Sequence, residues 1–264
     1  TESSGNLKNT FSFDLPVTIP TNINKIPVYA DIFQACGFNS TSVAGTSATY
    51  THAPLASVTS ATIEMRRPHD ATNDMIFKTK GARGVLGCDF KVGQKPIWTV
   101  RNMQGEYIQP VHAAKVTGVD LSAQIANLMG VLNKLSVIKF TLNGKTLCAT
   151  SFASDNLSGL NASRAETFCG SFSELETTTP IANVVFLGND WTSATELNPY
   201  EIGRTDDQTR IYPFEMEIGA IEGKKVSIIC PSVQPTKPSD ATVGKSYGNG
   251  LALRFLDGLQ IKFF

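Results

Sequence analysis

Between Phe77 and Pro110 apolar and polar positions alternate. Leu86, Cys88, Phe90 and Val92 fall on one side of an extended segment, and Val85, Gly87, Asp89 and Lys91 fall on the other. A period of two is that of a half-buried strand. A second run, from Pro96 to Met103, carries Trp98 and follows Gly93, Gln94 and Lys95. A short polar connection whose glycine can take positive φ predicts a β-hairpin with a longer loop. Gly81 and Gly84 flank Arg83 ahead of the first strand, and Gly105 ends the second, so the backbone can turn sharply at these points. The expectation is that the Leu86 side packs a core while Val85, Asp89 and Lys91 face outward.

The same reading extends along the chain. Thr1 to Asn9 is small and polar, Phe11 to Leu15 alternates, and Pro16, Pro20 and Pro27 keep the chain extended, so residues 1–26 read as an N-terminal arm. Val28, Ile32, Phe33 and Cys36 form the stripe of a short amphipathic helix that Gly37 ends. Thr41 to Leu55 reads as a strand edge or loop rather than core. Val58 to Arg66 reads as a strand and Pro68 to Asp74 as a turn. Leu121, Ile125, Leu128, Leu132 and Leu135 recur at spacings of four, three, four and three, which predicts a helix behind an Asp120 cap, weakened by Gly130. Val137 to Leu142, the Asn143-Gly144 turn signal and Lys145 to Phe152 predict a second hairpin. Asp155 to Thr179 is polar and reads as a long surface loop. Ile181 to Leu187 reads as a buried strand, and Asn189 to Arg204, with Trp191, has room for a short helix. Tyr212 to Ile218 and Val226 to Cys230 read as strands. Pro231 to Gly250 reads as a loop, and Leu251 to Leu256 and Leu259 to Phe264 as closing strands. The sum is a mainly β chain, one domain over residues 1–264, with one flanking helix and long loops near 155–179 and 231–250.

Composition narrows the function. A content of 41% hydrophobic residues in 264 supports a sizeable core. Lysine and arginine number 23 against 23 acidic residues, and 17% charged residues is low beside the roughly 25% of a typical soluble domain. Neutrality with few charges fits a protein that lives against copies of itself and argues against a nucleic-acid reader, which needs a basic face. The five cysteines stand without a CxxC pair and are odd in number, as expected of buried thiols in a reducing compartment. No apolar run is long enough to span a bilayer and no charged-then-apolar leader begins the chain, so the expectation is a protein made in the cytoplasm, with no membrane partner.

Catalytic patterns do not emerge. His52, His69 and His112 read as loop residues without partners at metal-ligand spacing, so no metal site is expected. There is no GxSxG elbow. Gly81 to Gly84 is too short for a phosphate loop and leads into a strand, so no cofactor is expected. Glu64, Asp70, Asp74, Glu215 and Glu217 read as a solvated face rather than an acid and base pair. The long polar segments offer protein contacts instead.

Taken with its flanks, the hairpin resembles the tail tube, or major tail, proteins of long-tailed bacteriophages. The matching residues are Pro27-Val28-Tyr29, Ala35-Cys36-Gly37-Phe38, Lys80-Gly81-Ala82-Arg83-Gly84, Phe90, Gly93, Pro96 and the exit from Gly105 to Pro110. Near the other end Gly223, Val226-Ser227-Ile228, Pro231-Ser232-Val233-Gln234 and Gly250-Leu251-Ala252-Leu253 resemble that family's closing strands. The likeness covers the two outer thirds of the chain. It implies a β-sandwich with a flanking helix, assembled as hexameric rings whose sheets join into an inner β-barrel. The rings stack into the conduit through which double-stranded DNA passes without sequence-specific binding. It implies no enzyme activity, further tail proteins at the tube ends, a place in the virion, and an extended chain rather than a helix around Leu128 to Leu135. One departure is Asp257-Gly258-Leu259-Gln260, where an acidic pair is expected. The structural hairpin candidates are Gly81, Arg83, Gly84, Phe90, Lys91, Gly93, Pro96 and Trp98. Other readings are a different structural virion protein, for capsid decoration or tail completion, and a carbohydrate-binding β-sandwich, for which Trp98, Trp191 and Tyr247 are dispersed.

Overall fold

The structure, a computed structural model, describes residues 8–18, 29–53, 55–116, 125, 127–167, 170–187, 198, 202, 210–221, 224–236, 238–244 and 246–264. It is mainly β with one short helix. In chain order the elements are β1 (Lys8–Pro16), α1 (Ala30–Ala35), β2 (Phe38–Val43), β3 (Ser47–His52), β4 (Ala61–Pro68), β5 (Asn73–Lys91), β6 (Ile97–Ala114), β7 (Val137–Leu142), β8 (Lys145–Thr146) and β9 (Ala149–Asn156). Then follow β10 (Leu160–Thr167), β11 (Gly170–Thr177), β12 (Ile181–Leu187), β13 (Tyr212–Ile221), β14 (Lys224–Pro235), β15 (Ser239–Val243), β16 (Ser246–Asp257) and β17 (Gln260–Phe263).

The sheet order runs β1-β6-β5-β9-β12-β16-β14-β13-β7-β8, with every pairing antiparallel. It forks at β14. The C-terminal part of that strand pairs with β16, from Ser232 to Pro235. Its N-terminal part pairs with β17, which leads on to β3 and β2. The path stays open, with β1 at one end and β8 at the other, so the described residues form no closed barrel.

One core joins the branches, and aromatic rings build it. Phe33 of α1 is fully buried, with ring centroids 5.2 Å from both Tyr50 and Trp98 and 6.1 Å from Phe263. A second group links Phe152 to Phe140 and Phe214, at 6.2 and 5.7 Å, and Phe214 to Phe255 at 5.9 Å. Phe90 connects the two groups, 5.1 Å from Trp98 and 6.2 Å from Phe152. Edge-to-face and offset pairs of this kind add about 0.5–1.5 kcal/mol each beyond their area burial. The helix spans Ala30–Ala35 rather than Val28 to Cys36, and Gly37 ends it at φ 89°, donating its N–H to the Gln34 carbonyl.

Several segments depart from the sequence reading. Part of the N-terminal arm is strand, since β1 pairs with β6 from Lys8↔Glu106 to Pro16↔Ile97; residues 1–7 and 19–26 lie outside the described ones. Thr41 to Thr46 is an exposed edge strand and turn, as read, but Ser47 to His52 is not peripheral: Tyr50 is fully buried, because the threonines around it suit a strand and β3 lies between β2 and β17. Asp155 to Thr179 is no loop but largely the β10–β11 hairpin, whose ladder needs no apolar side chains. Much of Pro231 to Gly250 is strand as well, in β14, β15 and β16. Pro231 sits in a bulge of β14, where no ladder N–H is required of it, and Gly248 lies inside β16 against the Phe186 carbonyl. The predicted return strand from Lys145 to Phe152 is split into β8 and β9, which pair with different neighbours.

Leu128 to Leu135 is not the helix that the periodicity predicted: 128–133 run without helical structure, and Lys134 and Leu135 lie in a turn. Leu128 bridges Thr18, the Met129 N–H reaches the Val17 carbonyl at 2.9 Å, and the Leu132 N–H reaches the Gln94 carbonyl at 2.9 Å. Backbone bonds to other segments replace those of a helix. Leu121 lies outside the described residues, as do Trp191 and almost all of Asn189 to Arg204.

Candidate functional site

Strands β5 and β6 form a hairpin with two unlike halves. In the inner half, Val85 to Asp89 pairs with Ile97 to Arg101 on one side, and Cys88 to Lys91 pairs with β9 on the other. In the outer half, Asn73 to Lys80 pairs with Glu106 to Ala114, and β9 is replaced by β4. The outer half and β4 make a three-stranded arm. Two opposed bulges mark the change: β5 gains a residue between Lys80 and Arg83, where Gly81 takes φ 66°, and β6 gains one between Arg101 and Gln104, where Asn102 takes φ 50°. Bulges of this kind bend and twist a strand pair.

The residues singled out by sequence divide between core and connections. Phe90 and Trp98 are 3% and 0% exposed. Pro96 is buried, and its carbonyl accepts the Val17 N–H at 3.0 Å. Gly93, at φ 86°, turns the hairpin and donates its N–H to the Leu132 carbonyl at 2.7 Å. Gly84 is needed for space, since a Cβ there would stand 3.0 Å from the Met103 Cα. Arg83 is half-buried opposite Gln104, and each keeps a buried atom, Nε and Oε1, without a hydrogen-bond partner. Lys91 pairs with Asp89 at 2.8 Å. Two assignments to faces change. Val92 is exposed because the strand has ended in the turn, and Val85, placed outward by alternation, is buried.

The arm has two faces of different chemistry. Glu64, Arg66 and Lys78 form an ion-pair row on one, with Arg66 and Lys78 at 2.7 and 3.1 Å from the carboxylate. Hydrogen bonds from Lys78 and then Arg66 hold Glu64 below the usual carboxylate range. The other face carries half-buried Met65, Met75 and Phe77, with the Arg67 guanidinium 5.3 Å from the centre of the Phe77 ring. At the tip the Asp70 carboxylate accepts the backbone N–H groups of Thr72 and Asn73, both at 2.7 Å, which fixes the turn and lowers the Asp70 pKa.

Sequence reasoning missed this arm because its bulges are a matter of register between strands, and Lys80-Gly81-Ala82-Arg83-Gly84 carries no apolar alternation to reveal them. The histidines also stand differently from expectation. His52 and His112 lie in strands rather than loops, and the His69 and His112 rings meet with centroids 4.4 Å apart. Among the described residues no three His, Cys, Asp or Glu side chains gather as a metal cluster, and no helix is long and apolar enough to cross a membrane. Among the described residues seven strands, β1, β2, β4, β8, β10, β11 and β15, each pair on one side only. An open edge presents a row of backbone donors and acceptors to another chain. No family model and no curated protein matches the chain.

Proposed function

We propose that the chain is a structural, self-assembling virion protein, the subunit of a bacteriophage tail tube. In this reading the two branches of the sheet close over the aromatic core as a β-sandwich. Six copies form a ring whose joined sheets make an inner barrel, and the rings stack into a tube for double-stranded DNA. Further tail proteins cap the tube, and assembly proceeds in the host cytoplasm. The observation that carries the reading is the arm: a three-stranded extension with an open β4 edge, continuous with strands that cross the core. A monomer that exposes such edges risks unplanned pairing, whereas an assembly uses them as connectors. Zero formal net charge supports the same reading, since it leaves little repulsion between copies. The carbohydrate-binding alternative loses Trp98, which is fully buried and presents no platform.

Negative-stain electron microscopy of the purified protein at rising concentration tests it. Rings that stack into tubes are the expected outcome. A species that light scattering finds monomeric at every concentration would overturn the assembly reading, and single rings that never stack would favour a decoration or tail-completion protein.

A further inference from the structure

The arm tip brings together two imidazoles from strands that are not neighbours. His69 follows β4 and His112 stands in β6, with β5 between them, yet their rings meet edge to face at 4.4 Å and both residues are exposed. Met75 of β5 is opposite His112 in register, which sets its side chain on the same face as both rings. The backbone beneath them is fixed. The His69 N–H reaches the Asn73 carbonyl at 3.1 Å, and Asp70 closes the turn onto Thr72 and Asn73.

From this placement we propose that the arm tip binds a borderline transition-metal cation, divalent nickel, copper or zinc, through His69 and His112, with the Met75 thioether as a further donor for copper. Imidazole suits these ions, and a thioether is a weak, long further ligand for copper beside imidazoles. Hydrogen bonds from Thr72 and Asn73 hold the Asp70 carboxylate in the turn, so the two imidazoles carry the site. The nearby cations are occupied elsewhere: Arg67 lies over Phe77, and the Lys115 ammonium reaches the Asp70 carbonyl at 3.4 Å. Two imidazoles leave coordination positions open, so a bound ion holds water or a donor from another molecule. Binding would tie β4 to β6 across β5 and stiffen the tip. The proposal does not depend on the tail-tube reading.

The test titrates untagged, metal-free protein spanning residues 1–264 with nickel and with copper by calorimetry, beside His69→Gln, His112→Gln and Met75→Leu. Circular dichroism verifies that each variant is folded. One ion per chain is expected, with affinity falling at least about tenfold in either histidine variant. Met75→Leu is expected to weaken copper more than nickel. Hydrogen exchange supplies a second readout, with slower exchange at residues 67–76 and 108–114 in the loaded protein. Absence of saturable binding in the unsubstituted protein, or affinity unchanged in both folded histidine variants, would overturn the proposal.

Discussion

Replacing Phe90 with alanine, beside Lys91 with glutamate, asks whether adjacent residues of one strand carry opposite duties. Phe90 is 3% exposed, with Trp98 and Phe152 against its ring at 5.1 and 6.2 Å. Truncating a buried phenylalanine to alanine costs about 3–5 kcal/mol, a large share of the roughly 5–15 kcal/mol that holds a domain folded. Lys91 is 44% exposed, and its ion pair with Asp89 is of the surface kind, worth about 0–1 kcal/mol. A glutamate beside Asp89 adds repulsion that physiological salt screens over about 8 Å, so the total cost stays near 1 kcal/mol. Urea unfolding of dilute protein, followed by tryptophan fluorescence, measures both, because Trp98 is fully buried. With a slope of about 3 kcal/mol per molar, Phe90→Ala lowers the midpoint by about 1–1.7 M and Lys91→Glu by about 0.3 M. Phe90→Asp, which buries a carboxylate without a partner, is expected to yield no folded protein. Equal midpoint shifts for Phe90→Ala and Lys91→Glu would refute the division of faces.

Two further outcomes follow from the packing. Gly87→Ala places a Cβ 2.3 Å from the Ser154 carbonyl oxygen and 2.5 Å from Thr99 Oγ1, so it should cost at least about 2 kcal/mol and speed amide exchange in β9. Gly93→Ala meets open space but takes φ 86°, and should cost about 1–2 kcal/mol without loosening β9. Burial raises Cys36 to about 12 and Cys230 to about 11, and raises Cys88 as well, so their reactive thiolates form only at high pH. Iodoacetamide at pH 8 should therefore label exposed Cys148 and spare those three until the protein is denatured, as peptide mass spectrometry would show. Equal labelling of all four would contradict the core packing.

What was legible in the sequence depended on whether one local signal had one meaning. Alternation at Leu86, Cys88 and Phe90 marked the core strand because all three side chains enter the core, although Val85 on the opposite face is buried as well. The stripe around Phe33 marked the helix for the same reason. Glycine was ambiguous: Gly93 and Gly144 do turn the chain, while Gly248 lets two strands approach inside a sheet. The leucine spacing at 128–135 mimicked a helix because the segment touches several partners in succession, burying Leu132 and leaving Leu135 79% exposed. The β10–β11 hairpin is polar, and polar alternation leaves no apolar trace. The meeting of His69 with His112 depends on register across three strands, which no local window contains.

The paired bulges at Gly81 and Asn102 divide the hairpin mechanically as well as geometrically. A continuous ladder carries a pull at its tip straight to its root. Here the ladder is interrupted on both strands at one level, so load on the arm becomes bending at the bulges before it reaches the rings around Phe90. Tolerance to substitution changes at the same level. The inner half is buried at almost every position from Gly84 to Phe90, whereas the outer half buries Asp74, Ile76 and Thr79 and leaves the positions between them half-buried, so half of the contacts the arm offers can be rewritten while the part of the strand that folds the protein stays as it is.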